Sequence, residues 1–143
     1  MSGPEKNGAW EAIVVGEDLG ELEYVLTEKM VSDYRRVVDN PHAAYPTIAA
    51  RHPANLFYRK YRHLIRVPNA GQESQYFNPP VPGETVSVSA RIVDKYERRQ
   101  KNYLVIEAIA KNPKGELIEI SRLIGLARET TLPALEAVAK KWE

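Results

Sequence analysis

A chain of 143 residues is long enough to bury a moderate core within one domain. Its 20 Lys and Arg nearly cancel its 19 Asp and Glu, so bulk charge argues for neither nucleic acid nor an anionic membrane. It contains no cysteine, which removes disulfides, thiolate metal sites and a cysteine nucleophile.

Residues 1–8 are polar and lack the apolar core of a secretion signal, so they read as a loosely held tail. No apolar run reaches bilayer length, and a cytoplasmic protein is expected. Trp10 to Val15 is apolar enough to pack as a short helix or strand. Glu21 to Leu26 reads as a first strand. Thr27 is a candidate N-cap, and Glu28 suits the first turn of the helix it opens. Met30, Val31, Tyr34, Val37 and Val38 follow the helical period and predict one buried face. This helix should stop near Asn40-Pro41, because a residue before proline avoids the helical region.

His42 to Ala50 suggests a short second helix interrupted by Pro46. Pro53 suits the first turn of a helix running to about Leu64, with Leu56, Phe57, Tyr61 and Leu64 on one face. Val67 to Gly71 is a turn-rich connector, and Gln72 to Phe77 a short strand. The proline-rich piece Asn78 to Gly83 must be a corner or an edge. In Thr85 to Val93, Val86, Val88, Ala90 and Ile92 alternate with polar residues, the period of a half-buried strand. Tyr103 to Lys111 and Glu116 to Arg128 continue the pattern. Turns at Glu97–Asn102 and Asn112–Gly115 separate these strands. Thr131, Pro133 and Ala134 to Trp142 suggest a C-terminal helix. The expected architecture is α+β: an antiparallel sheet wrapped around a central helix.

Chemistry-bearing residues are few. His42, His52 and His63 lack zinc-ligand spacing, so no metal site is expected. Arg51, Arg59, Lys60, Arg62 and Arg66 form the densest positive stretch. It suits the phosphates of coenzyme A or an acidic carrier protein, and equally suits the end of a helix that needs cations for its own stability. Arg98, Arg99 and Lys101 read as a solvated hairpin. Tyr45, Tyr58 and Tyr61 either line an acyl pocket or complete the core.

Three places carry a family resemblance: Asn40-Pro41 after the first helix, Pro53 opening the central helix, and Tyr76 to Glu84 with the later Asn112 to Glu116. Over roughly Glu21 to Arg128 the chain resembles the MaoC-like hot-dog hydratases and dehydratases, most of all their divergent or non-catalytic subunits. The resemblance implies a single hot-dog domain over residues 1–143. It also implies reversible addition of water to a 2-enoyl thioester, giving a 3-hydroxyacyl thioester. That reaction needs a base for water, an acid for the adjacent carbon and a donor for the thioester oxygen. Active members resemble one another in a loop Asp-x-Asn-Pro-x-His.

Aligned on Asn40-Pro41, this chain places Val38 and Ala43 where the acid and base belong. Asp39 and His42 stand one residue closer on each side, a compressed dyad or else a turn cap and a surface histidine. The resemblance further implies that Asn40 positions groups. It implies that the helix start at His52, Pro53 and Ala54 faces the thioester, with His52 either touching the thioester or its water or else serving as a structural loop residue, and that Arg59 and Arg62 meet an acyl-CoA or acyl-carrier-protein ligand. No cofactor is expected. The expected partner is a second hot-dog domain, as a homodimer or as a heterodimer with a catalytic subunit. The preferred role is substrate binding and support beside that subunit. The alternatives are a self-sufficient hydratase homodimer using Asp39 and His42, a hot-dog thioesterase, and a non-catalytic acyl-binding module.

Overall fold

A computed structural model describes residues 8–40, 42, 51–61 and 65–129. Residues 1–7 of the expected tail, the helix after His42, Tyr45, Arg62, His63 and the C-terminal helix lie outside the described residues, whereas Gly8, the tail's last expected residue, already opens a helix.

Helix α1 (Gly8–Ala12) leads to Ile13, which is buried. Lys95 holds this end of the chain. Its Nζ donates to the carbonyls of Trp10 and Ile13 at 2.6 and 2.9 Å and stands 4.6 Å above the Trp10 ring. Strand β1 (Asp18–Val25) begins three residues before the expected Glu21 and contains a bulge between Asp18 and Glu21, where Gly20 takes a positive φ of 92°. Leu26 lies just past the strand and is fully buried.

Helix α2 (Glu28–Val37) starts as expected. Thr27 Oγ1 accepts the Met30 amide at 3.1 Å, closing one of the open N–H groups of the first turn. Its expected buried face is only half realised. Val31 is buried and Met30 packs on the core, but Val37 is 79% exposed and Val38 44%. The reason is local: the chain leaves the helix at Val38, and Asp39 takes a left-handed φ of 54°, so the last periodic residues point away from the body.

Helix α3 (His52–Tyr61) carries Pro53 in its first turn and Arg59 and Lys60 in its last. Leu56, Phe57 and Tyr61 are buried, and the Phe57 and Tyr61 rings stack at 4.8 Å. Strands β2 (Ile65–Arg66), β3 (Asn69–Tyr76), β4 (Thr85–Arg98), β5 (Lys101–Lys111) and β6 (Leu117–Glu129) complete the chain. The stretch Val67 to Gly71, expected as a connector, therefore contains the start of β3, and β2 lies just before it. Strand β4 runs on past a bulge near Val93, and its hairpin to β5 shrinks to Arg99 and Gln100. Both take positive φ, 52° and 65°, the type I′ geometry that matches strand twist.

The sheet order is β1-β4-β5-β6, with β3 and β2 both on the far side of β6 and every pairing antiparallel. Val86, Val88, Ala90, Ile92, Leu104, Ile106, Ala108, Ala110 and Leu123 face inward. Helix α3 packs on that concave face against β1, β4, β5 and β6. The expected neighbours β4, β5 and β6 and the helix beneath them are as the alternation required.

Candidate functional site

Two places hold the residues singled out in the sequence. The first is a surface groove of about 630 Å³ along α2, lined by Glu28, Val31, Ser32, Arg35, Arg36, Asp39, Asn40 and Pro82. Glu28, Val31, Ser32, Arg35 and Arg36 recur at helical spacing, so one side of α2 forms the floor. Asp39 and Asn40, just past the end of the helix, complete the lining with Pro82. The Asn40 side chain accepts the His42 amide at 2.9 Å, an Asx turn that ties His42 to the same loop. Asp39 and His42 are both exposed. An acid–base pair there meets bulk water.

The second place is the start of α3. His52 is the first residue of the helix and is fully buried. Its Nε2 lies 3.0 Å from the Tyr24 hydroxyl, and its Nδ1 lies 3.8 Å from Glu119 Oε1, beyond hydrogen-bond length. Nδ1 has no hydrogen-bond partner among the described residues. Burial pushes the imidazole down to about 4, so it is neutral at pH 7. Pro53 is buried beside it, and Ala54 packs partly against the core. The groove's lining includes Asp39 and Asn40 but not His52, Pro53 or Ala54, so the expected residues fall into two places rather than one.

The far end of α3 is occupied with structural work. Lys60 Nζ lies 2.6 Å from Glu17 Oε2, and the Tyr61 hydroxyl donates to the same oxygen at 2.6 Å. Burial alone would raise the Glu17 carboxyl. Lys60, Tyr61 and the Val14 amide outweigh it and hold the group below its usual range. Arg59 is exposed. Tyr58 and Tyr61 serve the core, the former accepting the Val67 amide at 2.8 Å through its hydroxyl.

Sequence reasoning missed three groups. Tyr24 and Glu119 were not singled out, nor was Glu107 on the opposite face of the sheet. Both glutamates are buried. Glu107 had a signal: it breaks the outward series Tyr103, Val105, Ile109. Glu119 had almost none, because both faces of β6 carry apolar residues and a bulge near Lys111 buries Ile118 as well.

The inward helix and the curled antiparallel meander decide the architecture. This is a hot-dog fold. No family model matches the chain, and no curated protein matches it by sequence. Solved structures do. One chain of the 3R-hydroxyacyl-ACP dehydratase complex HadBC of Mycobacterium tuberculosis superposes with a TM-score of 0.65 at 13% identity, over 79% of this chain and 98% of that one. A thioesterase superfamily member of Thermus thermophilus gives 0.64 at 18% identity, over 91% and 93%. The MaoC-like dehydratase of Rhodospirillum rubrum gives 0.56 at 16%, over 84% and 97%. The hot-dog fold shared with MaoC-like hydratases and dehydratases is thus established at low identity. No helix among the described residues is long and apolar enough to cross a membrane.

Proposed function

We propose that this chain works on 2-enoyl and 3-hydroxyacyl thioesters as the binding and supporting member of a pair of hot-dog domains, beside a partner that carries the acid and base. The observation that carries this reading is the α2 groove. It combines polar and apolar lining and includes Asp39 and Asn40, yet the loop's candidates for proton transfer among the described residues, Asp39 and His42, are exposed, and in the sequence Val38 and Ala43 stand where the related loop needs Asp and His. His52 is neutral and buried, so it orders the helix start rather than meeting water. Two features support a paired assembly. Strand β3 ends the sheet, and Tyr76, Phe77 and Val81 at that end remain exposed. A neighbour in the comparison, HadBC, is a dehydratase complex.

The second reading is a self-sufficient hydratase using Asp39 and His42. It is favoured by the Asx turn that keeps both residues on one loop at the groove's end. Titration of a non-hydrolysable enoyl thioester analogue into the pure chain tests the binding role. Binding should weaken in Arg36→Glu and Asn40→Ala, which change the groove's charge and its loop lining. Binding unaffected by either change would remove the groove from the site.

A further inference from the structure

The convex face of the sheet, opposite α3, carries a charge pattern that the thioester reading does not use. Arg91, Glu107, Arg122 and Glu73 lie directly opposite one another on β4, β5, β6 and β3, and Asp18 of β1 lies opposite Arg91 on its other side. They form one row across five strands, in which Asp18 stands at the β1 end and the other four carry signs plus, minus, plus, minus. Glu107 is buried between its neighbours. Arg122 donates to its Oε2 through Nε and Nη2, both at 2.8 Å, and Arg91 Nη2 lies 3.4 Å from Oε1. The rows on either side are largely apolar at the centre. One reads Asp94, Val105, Ile124, Gly71, and the other Ser89, Ile109, Ile120, Gln75. Shallow depressions of about 340 and 210 Å³ flank Arg122.

We infer that this convex face packs against the same face of a second copy of the chain. The four charges from Arg91 to Glu73 are self-complementary under only one of the two simple two-fold arrangements, and Asp18 on β1 lies beyond their overlap. An axis across the strands would set Arg91 on Arg91 and Glu107 on Glu107. An axis along the strands, passing between β5 and β6, reverses the row. It sets Arg91 over Glu73 of the other copy and Glu107 over Arg122. The same operation lays Val105 on Ile124, Ile109 on Ile120, and Ser89 on Gln75. It keeps the two sheets aligned, the commonest way for sheets to stack. Four strands about 4.8 Å apart and about eight residues long offer roughly 500 Å² per copy, or about 1,000 Å² in all, the threshold for a specific interface. The contact uses the sheet's face and leaves the β3 edge open, so it adds to edge pairing rather than replacing it.

The test exploits the symmetry. Arg91→Glu sets two Glu–Glu pairs across the interface, and Glu73→Arg sets two Arg–Arg pairs. Each variant alone should self-associate about a hundredfold more weakly than wild type, read by sedimentation velocity as half the wild-type mass. An equimolar mixture of the two should regain the wild-type mass, because every crossed pair is then opposite in charge. Within one chain, positions 91 and 73 are three strands apart, about 14 Å, so this rescue works only between chains. Circular dichroism confirms that each variant is folded. A second experiment leaves the charges intact. With no native cysteine, Ile109→Cys mixed with Ile120→Cys should crosslink through a short bis-maleimide, and each alone should crosslink far less. Single variants that keep the wild-type mass, a mixture that stays at the lower mass, or a cysteine mixture that fails to crosslink would each overturn the proposal.

Discussion

Acid should unfold this protein partly through one imidazole. In the unfolded chain His52 takes up its proton near pH 6.5, whereas in the folded chain it does so only near 4, because burial disfavours the cation. Its contribution to stability is therefore full above pH 6.5, declines as the pH falls, and is lost once the pH passes about 4. The gap of about 2.5 pH units, at about 1.4 kcal/mol each, is worth about 3 kcal/mol. Other groups titrate over the same range, so the difference from His52→Gln isolates the term. Urea unfolding at pH 7.5, 6, 5 and 4 should show wild type losing about 3 kcal/mol more than the variant, mostly below pH 6.5. Glu119→Gln should keep the slope, since burial and not the Glu119 carboxyl lowers the imidazole. Parallel curves for wild type and His52→Gln would refute the reasoning. A wild type that gains stability on acidification would show instead a protonated His52 paired with Glu119.

Three further outcomes are expected. Thr27→Ala should cost about 1 kcal/mol in chemical denaturation, since it opens the Met30 amide at the α2 N-terminus. Gly125→Ala should cost about 1–3 kcal/mol, because the added methyl would meet Val67 Cβ at 2.9 Å; no measurable loss would show that the segment around Val67 yields freely. Replacing Arg99 and Gln100 by Asn-Gly should raise the thermal midpoint, since both positions already hold positive φ; a fall would contradict the type I′ turn.

The β-rich half was legible because its signals are local. Strand β4 alternates strictly, and Asn112 to Gly115 announces its turn with Pro and Gly, so β4 to β6 follow from pattern alone. Strand β3 was harder. Asn69 to Gly71 reads as turn, yet β6 supplies hydrogen-bond partners and draws the segment into the sheet. Helix α2 shows the limit of periodicity. Val37 and Val38 fit the period, but nothing covers them among the described residues once the chain reverses at Asp39. The site was less legible than the fold. Asp39 and Asn40 were visible as a loop at a proline, and His52 as a residue at a helix start. Tyr24 and Glu119 reach His52 only through pairing across the sheet, from positions 28 residues before it and 67 after it in the numbering, a proximity no local pattern encodes.

Hydration of a short 2-enoyl thioester by the pure chain, followed by the loss of enoyl absorbance, tests the central claim most directly. A missing general acid or base costs about a hundredfold to ten-thousandfold in rate. The account therefore predicts turnover near background for the chain alone. It predicts strong turnover when a hot-dog chain with an intact Asp-x-Asn-Pro-x-His loop is added, above what that chain achieves by itself. Robust turnover by the pure wild type, lost in both Asp39→Asn and His42→Ala while both stay folded, would contradict it and assign the reaction to the Asp39–His42 loop.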